Sequence, residues 1–157
     1  MTRVPVGRFA LPPGRRDDLS AAQGWTNVLA EVPIFTDLSQ RHLRKVASAS
    51  RLVRFHEGAS IIREGTPGDA LYVLVDGEVS VHRRGLPTLT LGIGSFFGEM
   101  ALFDDSPRSA SVVANGSVMC LVITRARLHK LLRSEPPIAL GLLKELARRL
   151  RVAQSVA

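Results

Sequence analysis

The strongest constraint on the fold is a series of short apolar segments separated by glycine-containing turns in the middle of the chain. Residues 71–75 are apolar or aromatic at every position, which is typical of a strand covered on both faces. Asp76-Gly77 and Asn115-Gly116 each separate two such segments, and both dipeptides predict a β-hairpin. Short strands at this spacing predict an antiparallel barrel or double-sheet roll.

Helical periodicity flanks this region on both sides. Two short helices are predicted before it, at about residues 25–32 and 39–47, and one after it, at residues 125–133. Pro136-Pro137 then starts a last helix, in which apolar residues recur every fourth position and could pair with a second copy of the chain: Ile138, Leu142, Leu146 and Leu150. The predicted fold is mainly β: a roll of the double-stranded β-helix or jelly-roll type, with N-terminal helices and two C-terminal helices.

Composition divides the chain into an arm and a domain. Residues 1–23 are rich in proline and glycine and poor in large apolar groups, which predicts a flexible N-terminal arm before a domain at residues 24–157. No run approaches the ~18 apolar residues of a membrane span, and no signal peptide is recognisable. The single cysteine, Cys120, excludes an intramolecular disulfide. We therefore expect a cytoplasmic protein.

The net charge of +7 requires a test for nucleic-acid binding. The basic residues are spread over the arm and the last two helices, and a charged helix face is more often solvated than bound to a partner. No aromatic residue follows Phe103, and no helix-turn-helix follows the last helix. Direct nucleic-acid binding is not expected.

One connecting segment, residues 98–110, combines a glycine, a carboxylate and an arginine. Gly98 lets the backbone approach a ligand closely, and the backbone N–H groups from about Glu99 to Leu102 can open a single helical turn that attracts an anion. Arg108 adds a planar, permanently charged fork, which suits phosphate oxygens. These features fit one phosphate attached to a group that carries hydroxyls.

This segment resembles the phosphate-binding cassette of the cyclic-nucleotide-binding domain family, which occurs in catabolite-activator-like regulators, cyclic-nucleotide-gated channels and cyclic-nucleotide-dependent kinases. The resemblance covers roughly residues 30–154. It is carried, in order, by Glu57-Gly58, Glu64-Gly65, Gly68-Asp69, Tyr72, Asp76-Gly77 and Pro107-Arg108-Ser109-Ala110.

The resemblance implies that Arg108 binds the exocyclic phosphate oxygens and that Glu99 accepts from the ribose 2′-hydroxyl. The resemblance also implies cAMP rather than cGMP, because similar bacterial domains with a serine at the position of Ser109 mostly look like cAMP-binding domains. The implied cyclic-nucleotide contacts are Gly98, Glu99, Met100, Ala101, Arg108, Ser109 and Ala110. The residues alone leave two alternatives open: Arg108 paired with Glu99, Asp104 or Asp105, and Glu99 as a helix N-terminal carboxylate.

The base of the nucleotide requires a lid, which the family takes from its last helix. Arginine stacks on purines, so Arg148 or Arg151 is a candidate, with a solvated basic face as the alternative. Val73, Phe96 and Phe97 are candidates for the pocket lining, with ordinary core positions as the alternative.

The function implied by the resemblance is a cAMP-binding regulatory domain in signal transduction, which passes ligand occupancy through its C-terminal helices to an unidentified protein effector. No catalytic set and no metal-ligand spacing is present, so we expect no enzyme activity. Two alternatives are a fragment of a DNA-binding regulator of the catabolite-activator type and a ligand-free interaction domain of the same fold.

Overall fold

The structure is a computed structural model that describes residues 26–99 and 106–155; the predicted arm lies outside these ranges. A helix at residues 26–31 (α1) and a 3-10 turn at Pro33–Phe35 come first. The other helices are α2 (Gln40–Ala49), α3 (Arg125–Ser134) and α4 (Pro136–Ser155). The strands are β1 (Arg51–Phe55), β2 (Ser60–Ile62), β3 (Ala70–Asp76), β4 (Val79–His82), β5 (Leu89–Leu91), β6 (Phe96–Phe97), β7 (Ser111–Ala114) and β8 (Val118–Thr124).

The eight described strands form two antiparallel sheets of four strands each, in the orders β1-β8-β3-β6 and β2-β7-β4-β5. One apolar cluster fills the space between the sheets and includes Leu74, Val79 and Val118. A second cluster packs the helices onto the roll and includes Leu29, Phe35 and Ile138. The predicted roll with helices at both ends is confirmed.

The two predicted hairpins are wrong. β3 pairs with β6 and β8, whereas β4 pairs with β5 and β7, so Asp76-Gly77 carries the chain from one sheet to the other. Asn115-Gly116 does the same between β7 and β8. Such dipeptides supply the positive φ that a sharp reversal needs. They do not decide which strands pair, because that depends on the faces that the roll buries.

These two corners pack against each other. A Cβ atom on Gly77, whose φ is +87°, would collide with the carbonyl oxygen of Ser117. The backbone N–H of Asn115 donates to the Glu78 carbonyl over 2.9 Å, and the Ser80 hydroxyl contacts the Asn115 side-chain oxygen at 2.9 Å. The glycine is therefore required for close approach as well as for the turn.

The last helix does not bury its fourfold stripe as a whole. Ile138 and Leu142 are buried and Leu146 is partly buried, but Leu150 is 60% exposed. Each four-residue step advances 400° around an α-helix, so the stripe drifts by about 40° per step and leaves the buried face. Gly141 allows α4 to lie directly on the 3-10 turn, since a Cβ there would collide with the Ile34 carbonyl.

A buried carboxylate fixes the junction between α3 and α4. The Glu135 carboxylate accepts a hydrogen bond from Lys45, and its Oε2 lies 2.9 Å from Nε2 of His42. Lys45 and His42 both belong to α2. The hydrogen bond from Lys45 holds the pKa of the Glu135 carboxyl below its usual range, against burial, which raises it. The charges on Lys45, His42 and Arg41 lower the pKa further.

Glu135→Gln is expected to destabilise the domain at neutral pH and much less in acid. A carboxyl with a lowered folded-state pKa contributes stability that is fully present above its unfolded-state pKa, about 4.3, and is lost as pH falls through the folded-state value. Urea unfolding of both proteins between pH 7 and pH 3 measures this. Glu57→Gln, at an exposed turn glutamate, is the matched control, and a stability difference that is independent of pH would contradict the expectation.

Candidate functional site

Arg108 is held beside the turn between β2 and β3 by its own backbone. Its N–H donates to the Thr66 carbonyl over 2.7 Å, and the N–H of Gly65 donates to the Arg108 carbonyl over 2.9 Å. This pairing brings the segment before β7 against the turn that contains Gly65. The arginine side chain is thereby directed toward the end of β6.

The guanidinium of Arg108 is buried, with 5% of its side chain exposed. Nη1 donates to the Gly98 carbonyl over 2.5 Å and Nη2 to the Ala70 carbonyl over 2.9 Å. The nearest described carboxylate is Asp69, whose oxygen lies 3.5 Å from Nη2 but whose side chain is 87% exposed. Two carbonyls orient the cation without neutralising it, and a solvated carboxylate compensates its charge weakly.

Gly98 is required where β6 ends. Its φ is +86°, and a Cβ atom would lie 2.6 Å from Nη1 of Arg108 and 2.9 Å from the Ala70 carbonyl oxygen. Both distances are shorter than van der Waals contact. Glycine therefore allows the backbone to turn and leaves room for the arginine in the same place.

Glu99 follows directly and is 8% exposed. Its Oε1 accepts from Nη1 of Arg149, on α4, over 2.5 Å. The guanidinium carbon of Arg149 lies 4.0 Å from the centre of the Phe96 ring, within cation–π distance. Arg149 also donates through Nε to Oε1 of Glu145 over 3.3 Å. One side chain of the last helix thus joins the end of β6 to α4.

Glu145 belongs to the same ionic network and is buried. Arg148 donates to its two oxygens over 3.0 and 2.6 Å. These hydrogen bonds hold the pKa of the Glu145 carboxyl below its usual range and raise the pKa of Arg148. Glu145 and Arg148 therefore stay ionised around neutral pH.

The other predicted site residues fall in different places. Val73 and Phe96 lie in the core under the helices, and Phe97 is buried with its ring stacked 5.2 Å from that of Tyr72. Ser109 is exposed and Ala110 half-buried. Met100 and Ala101 lie outside the described residues, as do Asp104 and Asp105. Burial raises the pKa of the Tyr72 hydroxyl, and repulsion between the Asp69 carboxylate and the Tyr72 phenolate raises it further, so the hydroxyl stays neutral near pH 7.

Arg149, rather than Arg148 or Arg151, is the arginine of α4 that contacts Glu99. Arg148 faces Glu145 with 61% of its side chain exposed, and Arg151 is exposed. The sequence contained a signal for Arg149, because it lies eleven residues after Ile138 and seven after Leu142, on the buried face of the helix. The lid role of Arg148 or Arg151 stays a prediction.

Other kinds of site were sought within residues 26–99 and 106–155. No group of three or more metal-ligating side chains occurs there. Burial raises the pKa of the Cys120 thiol to about 12, so this cysteine is not a nucleophile near neutral pH. None of the described helices has the length and apolar content to cross a membrane.

A statistical model of the family described as "cyclic nucleotide-binding domain" matches residues 52–135. The chain belongs to this family. The match runs from β1 to the end of α3 and contains Gly98, Glu99 and Arg108, so the buried cation, the glycine beside it and the adjacent carboxylate all lie within it.

Three similar proteins illustrate the range of this family. The cAMP-dependent protein kinase regulatory subunit of Aspergillus niger is 39% identical over 106 residues, which cover 66% of this chain and 26% of the subunit. The catabolite activator protein of Thermus thermophilus superposes with a TM-score of 0.73 at 35% identity, over 78% of this chain and 60% of that one. The regulatory domain of Toxoplasma gondii PKA, crystallised with cAMP, superposes with a TM-score of 0.70 at 27% identity, over 82% of this chain and 51% of that one. The chain thus spans about a quarter of the length of the kinase subunit.

Proposed function

We propose that this domain binds cAMP between the end of β6 and the last helix, and that occupancy acts on α4. The observation that carries the proposal is the buried guanidinium of Arg108, which two carbonyls orient and no buried carboxylate neutralises within the described residues. A cyclic phosphodiester carries one negative charge on two free oxygens and matches such a fork. A buried charge that an exposed carboxylate compensates only weakly is costly, so a bound anion is favoured there.

The carboxylate of Glu99 supplies the second half of the recognition. A carboxylate accepts about four hydrogen bonds, so the donor from Arg149 on Oε1 is compatible with a further donor. The ribose 2′-hydroxyl is such a donor. The two most informative relatives support cAMP as the nucleotide, because one is named for cAMP dependence and the other was crystallised with cAMP.

The ionic network supports a route from the site to the last helix. A ligand that bonds to Glu99 changes the environment of Arg149 and, through it, of Glu145 on α4. The ligand favours one position of the helix only by its differential contacts in that position. We therefore propose a regulatory domain that binds without turnover and acts in the cytoplasm on a protein effector.

Parallel calorimetric titrations with cAMP and cGMP test the ligand, and amide exchange at residues 137–154 tests the transmission. We expect saturable binding, tighter for cAMP, and slower exchange along α4 when cAMP is present. No heat with either nucleotide would overturn the binding. Binding with unchanged exchange would retain the site and remove the role of the helix.

Glu99→Gln is expected to weaken cAMP binding by about 1–2 kcal/mol, because the ribose hydroxyl loses a charged acceptor and keeps a neutral one. The affinity for 2′-deoxy-cAMP, which lacks that hydroxyl, should change much less. Calorimetry of both ligands with both proteins completes a double-mutant cycle. Equal losses for the two ligands would show that Glu99 acts on the fold of the site rather than on the ribose.

A further inference from the structure

The side of α4 that faces solvent carries a continuous apolar surface. We call it the outer stripe, and it consists of Leu140, Leu143, Ala147 and Leu150, with the three leucines 54%, 63% and 60% exposed. The spacing of three, four and three residues places these side chains along one line of an α-helix. The same spacing is that of the a and d positions of a coiled-coil seam.

The outer stripe lies opposite the face that holds α4 on the domain. Ile138 and Leu142 pack into the core, and Arg149 contacts Glu99 and Phe96 on that same side. Contacts within the domain therefore fix the orientation of the helix without using the outer stripe. Exposed leucines in a row, rather than singly, are typical of an interaction surface.

Charge decides what kind of partner fits. Lys144 and Arg151 are exposed and follow the stripe along one flank, one residue after Leu143 and Leu150. The single acid of α4, Glu145, is buried and already bonded to Arg148 and Arg149. A second α4 would therefore bring basic residues and no available carboxylate to the seam. An acidic partner helix is electrostatically complementary to this flank, whereas a second α4 is not.

A groove at the start of the stripe adds an anchoring point. A cavity of about 300 Å³ lies between α4 and the segment that follows α1, and its walls include Pro33, Leu38, Leu140 and Lys144. The apolar walls suit one large side chain of a partner, and Lys144 stands where an acidic neighbour would pair with it. Asp37, an exposed acid on the opposite wall of the groove, would repel such a neighbour, so the acidic flank of the partner belongs on the Lys144 side.

We propose that the outer stripe and this groove form a docking surface for an amphipathic helix of a partner protein, with apolar residues at heptad spacing and acidic residues on its flank. The surface provides the domain with an output separate from its nucleotide site. The proposal depends on the exposed face of α4 and not on cAMP binding, so either can fail alone.

The test uses two synthetic peptides of four heptads with leucine at a and d; one has glutamate and the other lysine at e and g. We expect the full chain to bind the glutamate peptide in fluorescence anisotropy and to bind the lysine peptide at least about tenfold more weakly. Leu143→Ser with Leu150→Ser should weaken binding of the glutamate peptide by about tenfold or more, because two leucines are no longer buried in the complex. Leu86→Ser with Leu89→Ser, at exposed leucines near β5, is the matched control.

Charge reversal separates docking from nonspecific adhesion. Lys144→Glu with Arg151→Glu should reverse the preference, so that the lysine peptide binds more tightly. The proposal is overturned if the glutamate peptide does not bind. It is also overturned if the double substitution in the outer stripe and the double substitution near β5 weaken peptide binding equally. A dimer in light scattering would also overturn the proposal if Leu143→Ser with Leu150→Ser dissociated it. The outer stripe would then bind a second copy of the chain. The cAMP titration, run on each variant, reports separately on the nucleotide site.

Discussion

Arg108→Ala is expected to weaken cAMP binding by about 2–5 kcal/mol, the range for truncating one partner of a buried, hydrogen-bonded charge pair. Within residues 26–99 and 106–155, the Arg108 guanidinium is a buried cation available to the phosphate, since Asp69 is exposed and the other described partners of Arg108 are carbonyl oxygens. Calorimetry at constant ionic strength measures the change. Unchanged affinity would remove Arg108 from the site.

Two control variants identify the cause of the loss. Arg108→Lys keeps the charge but not the fork, so its affinity should fall between those of the wild type and Arg108→Ala. Arg133→Ala, at an exposed arginine of α3, removes an equal charge elsewhere and should leave binding nearly unchanged. Thermal unfolding must be followed in parallel, because Arg108 also joins Gly98 to Ala70.

The roll could be predicted from the sequence, but its strand pairing could not. Short apolar segments with glycine turns require buried strands and sharp reversals, and both occur. The corners at Gly77 and Gly116 have positive φ, as a sharp reversal at glycine requires. Yet each corner joins two sheets, because β3 is paired on both sides by β6 and β8 and has no edge left for β4. Local turn chemistry contains no information on that competition.

The site shows the same division between local and distant information. Gly98, Glu99 and Arg108 lie in one short segment, and their residue types predict their chemistry. Arg149 contacts Glu99 across 50 residues of sequence. It could be identified only by working out which face of α4 is buried. The fourfold stripe through Leu150 gave the wrong phase, because an α-helix advances by 3.6 residues per turn. The positions Ile138 and Leu142, taken with seven-residue spacing, indicate the correct face.

Gly98→Ala is expected to destabilise the domain by about 2–5 kcal/mol and to impair cAMP binding with it. A left-handed φ costs an alanine about 1–2 kcal/mol, and forcing an atom into occupied space costs about 1–3 more. The new Cβ would meet both Nη1 of Arg108 and the Ala70 carbonyl. Urea unfolding gives the stability, and calorimetry gives the binding.

Gly94→Ala separates the two contributions. Gly94 has nearly the same φ, +88°, but a Cβ there would have nothing within 4 Å. Its substitution should cost only the backbone part, about 1–2 kcal/mol, with cAMP affinity unchanged. Equal destabilisation by the two variants would show that the close approach at Gly98 is not needed.

The collision of the new Cβ atom in Gly98→Ala has a further consequence, which the cost of the positive φ does not have. Because one of the two colliding atoms belongs to the Arg108 side chain, Gly98→Ala should cost less in an Arg108→Ala background than in the wild type. Some steric destabilisation should remain in that background, since the Ala70 carbonyl stays in place. Additive effects of the two substitutions would mean that Arg108 leaves its position freely. Non-additive effects would show that glycine and arginine share one tightly packed site, in which the space at Gly98 positions the guanidinium for the phosphate.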